Sequence, residues 1–380
     1  MLMQALFWCL AALLLYTFAG YPLLLRVWAA ARPRPVEKAP MQVPVAIVIV
    51  GYNEEARILH KIAACQAQDY PAGLMRIVVV SDGSTDRTHE LVAGLNDPRV
   101  VSMPFAQRRG KAACLVDAVS ACAEDLIVFM DARQTLHPAA VRCLLENFAD
   151  ASVGAVSGEL VFLADEQSGF SQGVDAYWAY EKFIRRNEAL VGSVVGATGA
   201  LYAIRRENFA AIPPQTILDD VLIPMQVVLQ RRRVVFEARA IAYDRPSQEV
   251  AQERLRKIRT LAGNFQLLQL CPALVKPLKN PIFVQLVSHK LLRLAAPLAM
   301  AGLLLVNLVL LGTAWIYPLA FAAQALLYGL ALTGMLLPAA RRWRAVRLPT
   351  TFALLNWFVV LGFVEFISNK NAHLWKSKVA

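Results

Sequence analysis

The side chains best suited to chemistry are acidic residues placed where short apolar runs end. Val45–Val50 runs into Gly51-Tyr52-Asn53-Glu54-Glu55, Arg76–Ser81 into Asp82-Gly83-Ser84-Thr85-Asp86, and Asp125–Met130 into Asp131-Ala132-Arg133-Gln134. Singly, each exit is ordinary, since Ser84, Thr85 or Asp86 would cap a helix in most proteins. Three acidic exits on one rim differ, because clustered carboxylates repel unless a ligand or cation lies among them. Asp219-Asp220 opens another apolar helical run, Val221 to Gln230, where carboxylates can meet the free N–H groups of a helix start. Arg109 and Lys111 stand at a third helix start. Neither GxGxxG nor GxxxxGK[ST] occurs, so dinucleotide binding and P-loop hydrolysis have no support. His60, His89 and His137 lack metal-ligand spacing, and six cysteines without a CxxC pair make neither a disulfide frame nor a zinc site.

The elements that must hold these residues read as an alternation. Val45–Val50 precedes a helical period over Glu54–Gln68, Arg76–Ser81 one over Thr85–Leu95, Val100–Met103 one over Gly110–Ala123, and Asp125–Met130 one over Pro138–Phe148. Continuous Val/Ile runs joined by crossover helices predict a mostly parallel sheet covered on both faces. Ligands of such a sheet bind beyond the carboxyl ends of its strands, where the acidic exits fall. Gln252 to Gln266 predicts an amphipathic basic helix: Leu255, Ile258, Leu261, Ala262 and Phe265 share one face, and Arg254, Lys257 and Arg259 lie largely elsewhere. That pattern suits a membrane surface.

At 380 residues, 57% hydrophobic and only 18% charged, the chain is no disordered protein, and a mean hydropathy of +0.45 argues against a purely soluble one. Met1 to Leu25 carries no charge and is followed by Arg26, Arg32, Arg34 and Lys38, the pattern of an uncleaved anchor with cytoplasm after it. Leu294 to Ala340 is uncharged and long enough for two spans, turning near Trp315-Ile316-Tyr317-Pro318. Leu348 to Ile367 is a weaker fourth span carrying Glu365. The tail with Lys370, Lys376 and Lys378 would then lie outside, against the charge bias, so a re-entrant or shallow last segment is an alternative. The expected organisation is an anchor over 1–28, a cytoplasmic domain over 43–245, interfacial helices over 246–293, membrane helices over 294–368 and a tail over 369–380. The net charge of +11 suits an anionic membrane face or a phosphorylated ligand. Nucleic acid is disfavoured, because much of that excess flanks the spans.

The Tyr52-Asn53-Glu54 exit, Asp82-Gly83-Ser84, Gly110-Lys111, Asp131, Ala197-Thr198-Gly199-Ala200 and Leu218-Asp219-Asp220 together resemble the membrane-bound family-2 glycosyltransferases. The resemblance implies a nucleotide-binding GT-A domain with one helix before it and about three after. It implies that Tyr52, Asn53, Glu54, Asp82, Gly83 and Lys111 hold a nucleotide, with uridine expected. Asp131 would engage a divalent cation, Mg²⁺ or Mn²⁺, where the family usually shows Asp-x-Asp; here Arg133 replaces the second Asp. Thr198 and Gly199 would face the acceptor, Asp220 would be the catalytic base beside Asp219, and Arg256 and Arg259 would meet the diphosphate. Thr260 stands where processive members carry a Trp that stacks on the acceptor sugar. The resemblance thus implies inverting transfer of one sugar to a lipid-linked or surface-glycan acceptor at a bacterial inner membrane, with the catalytic domain in the cytoplasm. One carboxylate suffices for this, unlike a glycosidase with two across the scissile bond. A processive polysaccharide synthase is the near alternative, and an inactive sugar-nucleotide-binding scaffold subunit, raised by Arg133, a further one. Oligomeric state is not legible.

Overall fold

In the computed structural model, which describes residues 1–163, 171–245 and 250–374, an eight-stranded sheet lies at the centre of the domain between the apolar ends. Its strands are β1 (Val45–Gly51), β2 (Met75–Asp82), β3 (Val100–Phe105), β4 (Leu126–Asp131), β5 (Thr135–Leu136), β6 (Val153–Phe162), β7 (Leu201–Arg205) and β8 (Arg233–Asp244). The order across the sheet is β3-β2-β1-β4-β7-β6-β8-β5. β1 pairs in parallel with β2 and β4, and β2 with β3; β7 alone runs against both its neighbours, β4 and β6, in the middle of the sheet. β6 and β8 return to a parallel pairing, and the short β5 closes the edge antiparallel to β8.

β1 is buried at every position, which is why it reads as an unbroken Val/Ile run without alternation. The parallel register aligns the strand exits: Gly51 stands opposite Ser81, Val50 opposite Asp131, and Asp82 opposite Phe105. Helices Ile58–Gln66, Thr88–Ala93 and Lys111–Ser120 make the crossovers the sequence predicts. Two apolar cores form, one on each face of the sheet. Val48, Val80, Leu115, Phe129 and Leu222 belong to the first; Ile47, Val79, Ile62, Leu144 and Val128 to the second.

Four helices are long and apolar enough to cross a membrane: Leu2–Ala31, Phe283–Leu310, Ile316–Leu336 and Arg344–Ser368. The second starts earlier than the uncharged stretch alone suggests, because its first turns are polar and pack on the domain. Two of these helices contain a π-turn, Tyr16–Gly20 and Val287–Leu291, and the turns meet where the Tyr16 hydroxyl lies 2.8 Å from Ser288 Oγ. Leu2–Ala31 then packs along Phe283–Leu310, with Phe7 against Tyr317, Val306 and Leu310. The Val250–Leu270 helix lays its apolar side on Arg344–Ser368: Leu261 meets Gly362, and Phe265 meets the rings of Phe363 and Phe366. That face therefore covers a hydrophobic helix of the same chain, while Leu255 is left 66% exposed.

Arg344–Ser368 does not lead away from the domain. Phe352 stacks edge-on at 4.9 Å against Phe18, whose carbonyl accepts a hydrogen bond from Tyr180 of the domain helix Ser171–Val191. Fourteen residues later Phe366 is still against Phe265.

Candidate active site

The exits of β1 and β2 are pinned to each other by backbone donors and short side chains. Asn53 N–H donates to Ser84 Oγ (3.1 Å), Glu54 N–H to Thr88 Oγ1 (2.8 Å) and Glu55 N–H to Asp86 Oδ2 (3.1 Å). In return the Asn53 side-chain oxygen accepts from Thr85 N–H at 2.8 Å. Asn53 takes a left-handed φ of 55°, which asparagine tolerates better than most residues. Its amide is thus engaged within the rim. Glu54 stays closer to the opening, and burial raises its carboxyl above the usual range against the opposing pull of Arg57.

Asp82 is 2% exposed and accepts from Arg109 N–H (2.7 Å) and Gly110 N–H (2.9 Å). Its immediate role is to fix the 107–111 turn; the lone pairs left over on each oxygen can still accept from a ligand. Gly83 has φ +65°, and a Cβ there would meet the Arg108 backbone nitrogen at 2.5 Å, so glycine lets the two loops touch. The turn lays the Arg108 guanidinium 3.9 Å over the Tyr52 ring, and Arg109 over Phe105 with its charge paired to Asp117 (2.6 Å).

Lys111, the first residue after that turn, reaches into the acidic cluster. Its Nζ lies 2.8 Å from Asp131 Oδ1 and 3.3 Å from Asp219 Oδ2. Burial works against this charge, but Asp131 and Asp219 outweigh it and hold the ammonium well above its ordinary range. Asp220 begins the Asp219–Leu229 helix. Its Oδ2 accepts from Gly199 N–H at 3.0 Å, and its carbonyl from Ala197 N–H at 2.7 Å. Burial first, then Asp219 and Asp131, push its carboxyl up to about 6, with Lys111 and Lys290 pulling the other way. A Cβ on Gly199 would lie 3.1 Å from Asp220 Oδ2 and 3.6 Å from Asp131 Oδ2, so the two acids flank one glycine. Lys111, Asp131, Asp219, Asp220 and Gly199 are thus brought together, and Asp82 adjoins them through the Gly110 N–H beside Lys111. Thr198 sits in the same loop, with its N–H on Ser157 Oγ at 3.1 Å.

Other expected residues lie at the margin. Arg133 pairs with Asp244, which also accepts from Gln134 Nε2 (3.1 Å), so that guanidinium is tied to the end of β8. Arg256 lies 3.9 Å from Glu253 and shares the field of Arg133. Arg259 acts electrostatically on Asp219, Asp220 and Asp131, yet its Nε donates to the Ala372 carbonyl at 2.8 Å. Tyr180 and Trp178 pack within and beside the Ser171–Val191 helix, Trp178 against Phe162. The Tyr177 side chain lies outside the described residues.

Three participants were not found from the sequence. Tyr202 is fully buried under Asp219, Asp220 and Asp131, its hydroxyl without a hydrogen-bond partner among the described residues. Lys61, also buried, donates to the Gln134 carbonyl at 3.0 Å beneath the β4 exit. The third is the segment after the last long helix. Ala372 enters the first core, and His373 and Leu374 come within 3.3 and 3.5 Å of where a Gly110 Cβ would be. The lysines flanking this segment were its only sequence signal.

The site suits a divalent cation that arrives with a diphosphate. Asp131 has one oxygen on Lys111 and one facing Gly199, and Mg²⁺ is commonly held by one or two carboxylates completed by substrate phosphates. Among the described residues no group of three His, Cys, Asp or Glu side chains could hold an ion unaided.

Comparison with known proteins bears on this geometry. Residues 46–212 match the model of Glycosyl transferase family 2. An N-acetylglucosaminyltransferase of Bradyrhizobium elkanii is 32% identical over 133 residues, 33% of this chain and 71% of that protein. One of Mesorhizobium japonicum is 29% identical over 178 residues, 45% of this chain and 41% of its own length. One of Rhizobium meliloti is 28% identical over 193 residues, 49% and 44% respectively. The chain thus spans a little over two-fifths of the last two. A mannosyltransferase of Pyrobaculum calidifontis, solved in complex with GDP-Man and Mn²⁺, has a TM-score of 0.72 at 20% identity, covering 97% of this chain and 99% of that one. This likeness establishes the fold, the GT-A sheet with its flanking apolar helices. With an acidic cluster at the parallel strand exits and those relatives, the chain belongs to the family-2 glycosyltransferases.

Proposed function

We propose that the protein transfers a single sugar, with inversion, from a uridine-diphospho donor to a hydroxyl of a lipid-linked or surface-glycan acceptor at the cytoplasmic face of a bacterial inner membrane. N-acetylglucosamine is the sugar class we favour, on the activity for which the relatives are named. The carrying observation is Asp220: a half-buried carboxylate raised to about 6, aimed by Gly199 N–H, and separated from the Asp131–Lys111 pair by one glycine.

The acceptor oxygen attacks the anomeric carbon while the bond from that carbon to the phosphate oxygen breaks. The hydroxyl proton passes to Asp220, and the nucleoside diphosphate leaves with the bonding electrons. A base works best with a pKa near the operating pH, and such a group contributes about 10²- to 10⁴-fold. Asp131 would hold the divalent cation, which when bound supplies positive charge to the leaving diphosphate. Lys111 holds Asp131 and Asp219 in place, 2.8 and 3.3 Å from its Nζ. Arg108 and Tyr52 form a stacked plate beside the turn that Asp82 fixes, a surface suited to a base and ribose. Thr260, in place of an acceptor-stacking Trp, favours single addition over chain growth.

The test is a screen of UDP-, GDP- and dTDP-sugars with the purified protein in lipid, read as released nucleotide. Release from UDP-N-acetylglucosamine, lost in EDTA and restored by Mn²⁺ or Mg²⁺, is the expected result. No release from any donor would overturn the reading, and a ladder of products would replace single addition with processive synthesis.

A further inference from the structure

Where the second long apolar helix leaves the domain, it carries a polar cluster that the donor chemistry does not use. His289 is clamped between two glutamates of the Ser171–Val191 helix, Nδ1 at 2.9 Å from Glu188 Oε1 and Nε2 at 2.9 Å from Glu181 Oε2. Tyr21 donates to the same Glu188 oxygen at 2.8 Å, and Arg293 pairs with Glu181. Both glutamates are thereby engaged. Glu181, Arg185 and Glu188 fall at i, i+4 and i+7, one stripe of their helix, so Arg185 shares the face turned toward His289. Lys290 follows His289 inside the Val287–Leu291 π-turn, and π-turns often mark functional positions.

Arg185 and Lys290 are both half-buried, and among the described residues neither forms an ion pair or a side-chain hydrogen bond. They act on each other as like charges. Two neighbouring cations, without ion pairs of their own beside two carboxylates already engaged, leave positive charge without its anion. Glu188 also ties this cluster to the loop that holds the base. Val195 N–H donates to Glu188 Oε2 at 3.4 Å, and the loop it opens carries Ala197 and Gly199, the two residues that hold Asp220. Lys290 is also among the charges felt by the Asp220 carboxylate. From Leu294 the helix is uncharged, so the two cations lie where headgroups sit.

We infer that Arg185 and Lys290 bind the phosphate of a lipid, anchoring a phospholipid-type acceptor so that its headgroup hydroxyl reaches Asp220. An ammonium and a guanidinium would both make charge-assisted hydrogen bonds to the phosphate oxygens. The inference rests on the transferase reading above, whose acceptor it narrows to a phosphate-bearing lipid.

The test titrates the full-length protein in detergent with fluorescent phosphatidic acid, the matching diacylglycerol and inorganic phosphate. Phosphatidic acid is expected to bind at least tenfold tighter than diacylglycerol and to resist displacement by millimolar inorganic phosphate. Lys290→Gln and Arg185→Gln should each weaken it about tenfold, the loss of one charge-assisted contact, and Lys290→Arg should bind within about threefold of the unmodified protein. Equal binding of diacylglycerol, unchanged binding by both Gln variants, or ready displacement by inorganic phosphate would each overturn the inference. UDP binding is measured on the same unmodified sample. Its absence beside intact phosphatidic acid binding would sink the donor reading and leave the lipid site standing.

Discussion

Asp220 and Lys111 carry opposite duties in a space that few charges can share. Asp220 must be ionised to accept a proton, and burial with two neighbouring carboxylates lifts it to about 6. Turnover should therefore rise with pH through about 6, where an ordinary carboxylate would already be ionised near 4. A pH–kcat profile flat down to pH 5 would contradict this. Lys111 is one of the two cations that pull Asp220 back down, so Lys111→Gln should move the acid limb to higher pH as well as weaken nucleotide binding. A limb that stays in place or moves down would show that the two side chains are not coupled. At this scale the sequence was informative. Asp82 and Asp131 stand out because a parallel sheet collects its strand exits on one rim, and the Asp219-Asp220 pair because it opens an apolar helix where the resembling family carries acids. Tyr202 and Lys61 do not, since a buried tyrosine and a helical lysine have no spacing that separates them from core and surface. The tie between Arg133 and Asp244 was equally hidden, because it depends on how β8 is placed beside β5.

Between elements, glycines set how closely the loops approach. Gly199 lies against Asp220 and donates to it, so Gly199→Ala should push the carboxylate aside and lower kcat at least tenfold, with little change in thermal stability; unchanged kcat would remove Gly199 from that role. Gly83 is a different case. Its φ of +65° and the Arg108 backbone at 2.5 Å make any side chain strained, at a cost of about 1–3 kcal/mol. Gly83→Ala should lower the melting temperature by several degrees and loosen nucleotide binding together. Gly263 plays a related part, since a Cβ there would meet Leu218 at 2.5 Å, one residue before Asp219. The crossover helices and strands were legible from apolar runs and helical periods. The reversed β7 was not, because a buried central strand looks the same in either direction and only its partners decide.

For the whole molecule, the course of the last long helix matters most. The loop Pro338–Arg342 before it is basic; Phe352, Phe366 and His373 successively touch the domain or what the domain holds. An in-plane course for this helix would keep those contacts and would remove the charge conflict that a fourth crossing brings. We expect single cysteines placed at Arg342 and Lys370 to react with a membrane-impermeant maleimide from the same side as one placed at Arg57; reaction from opposite sides would show a full crossing. The sequence left this open, because a 20-residue apolar stretch with one glutamate suits either a span or an in-plane helix. The contacts of this helix with Phe18 and Phe265 have no signature in hydropathy.

The most direct measurement compares Asp220→Asn with the unmodified protein in lipid, following both sugar transfer and UDP affinity. We expect transfer to fall about 10²- to 10⁴-fold, the contribution of a general base, with UDP affinity within about threefold. Transfer retained within tenfold would show that another group takes the proton, and would remove Asp220 from the centre of this mechanism.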